Sequence, residues 1–135
     1  MFEYHGWATV RDSSEAVGWV VADGLTKTAY DTVAGEIAAI TNDFQVADLR
    51  IVNGSCHLWL AGLRNHRQDA VIETFHSVAR AAPWSYGILH VYDDEAPGDG
   101  GNRWVAWVMK RGMVTPQADQ FLSPHVGAVE DPEHT

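Results

Sequence analysis

The residues of this chain that could do chemistry are seven histidines, one cysteine and an excess of acidic side chains. Histidine, cysteine and carboxylate groups are the usual protein ligands of Zn²⁺, and histidine is the commonest general base. The sequence contains no HExxH, no Cys-x-x-Cys and no EF-hand loop, so the strong metal signatures are missing. His5, His57 and His90 could still converge on an open sheet face. This keeps a small metal-dependent or histidine-based enzyme open as an alternative.

Cys56 and His57 are adjacent, which could suggest a nucleophile with its base. Adjacent strand residues point to opposite faces of a sheet, so these two side chains cannot easily share a hydrogen bond. Cys56 is therefore interpreted as a small core residue. The glycine-rich stretch 98–101 lies among acids and does not lead into a helix, which argues against a phosphate site. The sequence predicts no catalytic residue, no cofactor and no resident metal.

A run of acidic residues, Asp93, Asp94, Glu95 and Asp99, is the clearest charged feature. It follows a predicted strand and could be a solvated turn, or an acidic edge that docks a basic protein. Such an edge raises the association rate and selects partners more than it adds affinity. We call these four residues the acidic edge.

Two further groups could contact a partner. His66 and Arg67 lie between a predicted strand and a predicted helix, where they are either a docking element or a helix-entry loop. The period of two along the predicted strands places His5, Trp7, Arg50, His57, Trp59, His90 and Tyr92 on one open sheet face, which either a partner or the carboxy-terminal tail would cover. The candidate partner-binding residues are Asp93, Asp94, Glu95, Asp99, His66, Arg67, Trp7, Trp59 and Tyr92.

The charge balance bears on the class of partner. Eighteen acidic and nine basic residues give a net charge of −9. Nucleic-acid affinity comes largely from Lys and Arg contacts to phosphates, so the charge argues against a nucleic-acid partner. It favours a basic protein through electrostatic steering, although acidity that serves only solubility would give the same composition. The sequence leaves the oligomeric state open.

A chain of 135 residues is expected to form a single domain, here spanning residues 1–135. The single cysteine allows no disulfide within the chain and fits a reducing compartment. The amino terminus does not resemble a secretory signal, and no apolar run is long enough to span a membrane. These features predict a cytoplasmic protein without a membrane partner.

The elements that must position these residues follow from periodicity. Three-and-four spacing of apolar residues predicts helices over 27–40 and 68–81. Alternation predicts strands over 2–10, 86–92 and 104–110, and a short one near 113–115. Residues 11–26 are predicted to be a loop or a short helical piece, and the tail from Pro116 is predicted to pack irregularly. The fold class is therefore α+β, with two helices on one face of a mainly antiparallel sheet of about five or six strands.

Asn53-Gly54 predicts a β-hairpin with a fixed register. This dipeptide is the strongest two-residue turn signal, because both positions need a positive φ. The turn pairs Val52 with Ser55, Ile51 with Cys56, Arg50 with His57 and Leu49 with Leu58. The same pairing places Leu49, Ile51, Cys56, Leu58 and Leu60 on one face.

Five segments, in order along most of the chain, resemble the immunity protein 7 family of bacterial polymorphic-toxin systems. They are FEYHGWATVRD, RIVNGSCHLWLAGLRNHR, APWSYGILHVYDDE, WVAWVMKRG and the ending FLSPHVG followed by Glu130-Asp131. The resemblance implies an α+β protein without catalytic residues, acting as an intracellular antidote. Such an antidote would bind and neutralise a cognate toxin domain in the producing bacterium.

Overall fold

The computed structural model describes residues 1–14 and 20–126. The strands and helices, in chain order, are β1 (Phe2–Val10), β2 (Val20–Ala22), β3 (Leu25–Thr26), α1 (Lys27–Ile40), β4 (Gln45–Val52), β5 (Ser55–Arg64), α2 (Asp69–Ala81), β6 (Tyr86–Asp93), β7 (Trp104–Lys110) and β8 (Met113–Ala118). A short 3₁₀ helix, Gly98–Asn102, lies between β6 and β7.

Six strands form one antiparallel sheet in the order β4-β5-β1-β6-β7-β8, while β2 and β3 form a separate two-stranded sheet. The apolar stripes of α1 and α2 pack against one face of the large sheet, and the side chains between these layers form the core. Phe2, Tyr4 and Phe75 are fully buried there. Burying a large apolar side chain contributes about 1.5–3 kcal/mol, so these aromatic residues anchor the layers. The predicted α+β class is confirmed.

Helix α1 begins at a chain of side-chain hydrogen bonds. The Thr26 hydroxyl caps the helix by accepting a hydrogen bond from the Ala29 amide at 3.3 Å. That hydroxyl in turn donates to Asp12 Oδ2 at 2.7 Å, and the Thr26 amide donates to Asp12 Oδ1 at 2.9 Å. A hydroxyl at this position satisfies one of the amides that a helix start leaves without a partner. The helix has the predicted bounds, and Val33 and Ile37 on its predicted apolar stripe are buried.

The β4–β5 hairpin has the predicted register in all four pairs. Its turn residues have positive φ, 52° at Asn53 and 79° at Gly54, as a two-residue hairpin turn requires. Cys56, Leu58 and Leu60 are buried on the helix-covered face, but Ile51 is exposed. Ile51 lies on the same face as predicted, but it is less covered because β4 is the border strand of the sheet.

Two other segments differ from their predictions. Residues 20–26 form the β2–β3 sheet, and not a loop or a short helical piece; residues 15–19, including Trp19, lie outside the described part of the chain. Strands of three and two residues are too short to show an alternating pattern, so sequence periodicity could not reveal them. Strand β8 continues past Thr115 to Ala118, and residues 119–126 then pack irregularly as predicted.

Candidate partner-binding surface

Asp93 ends β6, and the structure places it differently from the other members of the acidic edge. It is buried, and its carboxylate accepts a hydrogen bond from the Glu95 amide at 3.0 Å. The guanidinium of Arg67 lies 3.6 Å from its other oxygen. The prediction that Asp93 is an exposed loop charge is wrong, since it lies on the helix-covered face at the end of a central strand.

His66 and Arg67 lie beside the acidic edge, although they are distant from it in sequence. His66 Nδ1 is 2.7 Å from Glu95 Oε1, and Arg67 Nε donates to Asp69 Oδ1 at 2.6 Å. Together with Asp93 and Ala96–Pro97 they line a shallow cleft. The structure therefore brings together two groups of predicted partner-binding residues.

The remaining acids of the edge also have positive partners. The Met1 amine contacts Asp94 at 2.5 Å, and this hydrogen bond raises the pKa of the amine. Arg103 lies 3.6 Å from Asp99. Ion pairing reduces the field that a distant partner feels, so the acidic edge is weaker electrostatically than its sequence indicates.

The carboxylates of Asp93, Asp94 and Glu95 lie within 4.8 Å of one another. They could therefore face one cation, although a positive or protonatable group already contacts each of them. In residues 1–14 and 20–126, no other set of three potential ligands is this close. An exposed acidic cluster alone does not define a metal site.

The three histidines of the alternative enzyme hypothesis do not converge. His5 and His90 are direct cross-strand neighbours, but His57 is opposite Thr9, four residues further along β1. Such a separation is about 13 Å along a strand, too far for shared coordination. Cys56 is fully buried in the core, and burial raises the pKa of its thiol to about 11. The interpretation of Cys56 as a core residue is confirmed.

The uncovered face of the large sheet carries an aromatic cluster. Trp7 and Trp59 are cross-strand partners, and Tyr86 packs edge-on against Trp7 with 6.2 Å between ring centroids. His57 stacks on Trp59 at 5.5 Å. Trp7, Trp59 and Tyr86 are 42%, 38% and 47% exposed. We call these four residues the aromatic patch. Tyr86 was missing from the predicted set, although alternation from Tyr92 through His90 would have placed it on this face.

The carboxy-terminal segment covers the opposite end of the same face. The His125 ring stacks on Tyr92 with centroids 3.9 Å apart, and Trp104 lies beside both rings. Tyr92 is only 4% exposed, and its hydroxyl donates to the Gly101 carbonyl at 2.8 Å. Of the two covers predicted for this face, a partner or the carboxy-terminal tail, the tail is the one that lies over Tyr92. The described part of the tail thus covers the Tyr92 end, and no residue in the described ranges 1–14 and 20–126 buries Trp7 or Trp59.

Among the residues the structure describes, no helix is both long and apolar enough to cross a membrane.

Comparisons with known proteins give one result. No curated protein and no solved structure matches the chain. A family model described as Immunity protein 7 matches residues 1–131. The match includes the strands of the aromatic patch, the acidic edge and the tail that folds over Tyr92. Because it spans nearly the whole sequence, the chain belongs to the immunity protein 7 family, which implies an immunity protein of a toxin system.

Proposed function

We propose that this protein binds the toxin domain of its own toxin system in a stoichiometric complex and thereby neutralises it in the bacterium that makes both. The observation that carries this proposal is the family match over residues 1–131. We further propose that it acts in the cytoplasm and by binding alone. The alternative of a histidine-based enzyme is not favoured, because His57 is far from His5 and His90.

The aromatic patch is the contact surface that the geometry supports best. Tryptophan and tyrosine dominate the binding energy of protein interfaces, because they bury a large area with few rotatable bonds. Trp7 and Trp59 face each other on neighbouring strands of a rigid sheet, so binding costs little ordering. A stable complex buries roughly 800 Å² on each partner.

The exposed members of the acidic edge then have a secondary role. Asp94, Glu95 and Asp99 are each paired, but the net charge of −9 still attracts a basic toxin over a distance. Charges at the rim of an interface act mainly on encounter, so they change the association rate more than the dissociation rate. We therefore expect a basic partner, anchored on the aromatic patch.

The function is tested by co-expression. The toxic domain encoded by the neighbouring gene is induced in a bacterial host with and without this protein, and the complex is isolated through a tag on the toxin. We expect restored growth and a complex with one copy of each chain. Growth arrest without co-purification, while both proteins are produced in the soluble fraction, would overturn the proposal.

The surface is tested separately with single substitutions. Trp7→Ala and Trp59→Ala should each weaken toxin binding by at least tenfold, because a central interface tryptophan contributes about 2 kcal/mol or more. Phe121→Ala is the matched control, since Phe121 is 93% exposed and lies in the tail. Equal affinity for all three variants and the wild type would show that the toxin binds elsewhere.

A further inference from the structure

In the described part of the chain, no strand pairs with the outer edge of β4. β4 lies at one end of the sheet order, and no described residue outside the β4–β5 pair hydrogen-bonds to its backbone between Val46 and Val52. In a two-residue hairpin the residues flanking the turn exchange both of their backbone hydrogen bonds, and this pattern then alternates along the strands. Arg50 and Asp48 therefore bond to β5, while Ala47, Leu49 and Ile51 present their amides and carbonyls outwards.

The opposite edge of the sheet is protected in a way that β4 is not. In β8, Pro116 is opposite Trp107, at a position where the backbone nitrogen faces away from β7. Proline has no amide hydrogen, so this edge lacks a donor and cannot accept another strand regularly. Strand β4 has the sequence QVADLRIV, with no proline, glycine or lysine. An open edge of this kind is a template for strand pairing.

The sequence of β4 is complementary to itself in antiparallel orientation. With Leu49 on a two-fold axis, Asp48 of one strand is opposite Arg50 of the other. Val46 is then opposite Val52 on the same face, and both of these side chains are exposed. In this register Leu49 of one chain is opposite Leu49 of the other. The two residues can exchange both backbone hydrogen bonds, because their amides and carbonyls point outwards. Asp48 and Arg50 already lie 3.0 Å apart within one chain, on the uncovered face, so both are in position to pair across the axis.

We propose that a second copy of this chain pairs with the outer edge of β4 through its own β4, across a two-fold axis at Leu49. The two six-stranded sheets then form one continuous sheet, with two symmetric Asp48–Arg50 pairs at the interface. This is an isologous contact, which closes at the dimer and leaves β8 at both outer edges. The proposal does not depend on the toxin-binding function.

The test is sedimentation equilibrium of the purified chain between about 1 µM and 1 mM, a range that covers weak and moderate dimers. About 0.15 M salt is used, because it screens the net charge of −9 on each copy. We expect a concentration-dependent monomer–dimer equilibrium. Asp48→Arg places arginines opposite arginines, and Arg50→Asp places aspartates opposite aspartates. Each should raise the dimer dissociation constant by on the order of tenfold, since two favourable cross-strand pairs become repulsive.

An equimolar mixture of the two variants is the decisive measurement. In the mixed dimer, positions 48 and 50 are both basic in one chain and both acidic in the other, so each cross-strand pair again joins opposite charges. Heterodimers should therefore form about as strongly as the wild-type dimer. The ion pair within each chain stays broken in the mixture, so recovery can come only from pairing between chains. Asp99→Arg is the matched control, because it also reverses an exposed, paired acid but lies far from β4, and it should leave the dissociation constant unchanged.

Three results would overturn the proposal. One is a monomer over the whole concentration range. Another is a dimer that neither charge reversal weakens, and the third is a mixture of the two variants that does not associate.

Discussion

The indole Nε1 of Trp104 donates a hydrogen bond to Nδ1 of His125 over 3.0 Å, in a buried environment. An indole nitrogen can only donate, so Nδ1 of His125 must accept, and the proton of the neutral imidazole lies on Nε2. This bond and the stack on Tyr92 hold the tail against the sheet.

The first prediction concerns this contact. His125→Ala should lower the free energy of unfolding by about 1–3 kcal/mol, because it leaves the buried indole N–H of Trp104 without its acceptor and uncovers Tyr92. Chemical denaturation followed by circular dichroism measures the change. Phe121→Ala, in the same tail, should change it by less than about 0.5 kcal/mol, because that side chain is exposed. Equal midpoints for the two variants would show that the tail does not stabilise the fold.

A second prediction compares the contribution of the buried Asp93 to stability with that of the exposed acids. Asp93→Ala should destabilise the protein by about 1–3 kcal/mol, since it removes the hydrogen bond to the Glu95 amide and leaves Arg67 without a buried partner. Changing Asp94, Glu95 and Asp99 together to Ser should cost less than about 1 kcal/mol, because exposed ion pairs contribute little. Denaturation midpoints of the two variants measure the difference, and equal losses would contradict the distinction.

The same triple variant tests the role of the acidic edge in binding. It should associate with a basic toxin more slowly and with a flatter salt dependence, while dissociation changes less. Stopped-flow kinetics at two salt concentrations measures both rates. Asp93 is left unchanged in this experiment, so that a loss of stability is not mistaken for a loss of steering. An unchanged association rate and salt slope would exclude this edge from the encounter.

The third prediction is a pair of identical substitutions with opposite outcomes. A Cβ atom at Gly87 would lie 2.0 Å from the Trp7 carbonyl oxygen and 2.6 Å from the Ala8 Cα, both in the neighbouring strand. Gly87→Ala should therefore cost about 3 kcal/mol or more. At Gly35, in α1, an added Cβ meets nothing within 4 Å. Gly35→Ala should instead stabilise by about 0.5–1 kcal/mol through helix propensity. Denaturation midpoints that shift in the same direction would contradict this prediction.

The fourth prediction concerns the thiol of Cys56. Burial raises its pKa from 9.0 to about 11, so the native state disfavours the thiolate. The resulting stability is fully present below pH 9 and is lost as the pH rises from 9 towards 11, because the unfolded thiol ionises first. Stability should fall more steeply across this window in the wild type than in Cys56→Ala. Denaturation at several alkaline pH values measures this difference.

Thiol reactivity at about pH 8, just below the ordinary thiol pKa, gives an independent check on Cys56. Because the side chain is fully buried, a disulfide reagent should react at least about 100-fold more slowly with the native protein than with the denatured chain. Rapid reaction of the native protein would show that the strand around Cys56 opens readily.

Much of the fold could be predicted from local sequence signals. The spacing of Val33 and Ile37 predicts α1, and the Asn53-Gly54 turn fixes the β4–β5 register residue by residue, because a two-residue loop allows one pairing only. Local sequence signals do not predict the elements whose formation depends on long-range contacts. The β2–β3 sheet is an example, since its strands are too short for a period and depend on contacts such as the Asp23 amide to the Gly54 carbonyl.

The surface was harder to predict than the fold. Periodicity places Tyr92 on the uncovered face, but it cannot show that His125, more than thirty positions later, folds back over it. Composition likewise indicates a dense acidic edge, but it cannot show that Glu95 meets His66 or that Asp93 ends its strand in the interior. Trp7 and Trp59 were placed correctly on the uncovered face, because only the period of two was needed.

The position of β1 in the sheet constrains the order in which the strands can pair during folding. Strand β1 lies between β5 and β6 in the sheet, with Phe2 opposite both Arg64 and Asp93, although β5 and β6 come much later in the sequence. The β4–β5 and β6–β7 hairpins can form from residues that are close in sequence. Strand β1 pairs only with β5 and β6, which are distant from it in sequence. Closing such distant contacts is slow compared with hairpin formation. The cross-strand pair of Trp7 and Trp59 therefore exists only after β1 has joined β5, and β1 is enclosed on both sides only after β6 has been made.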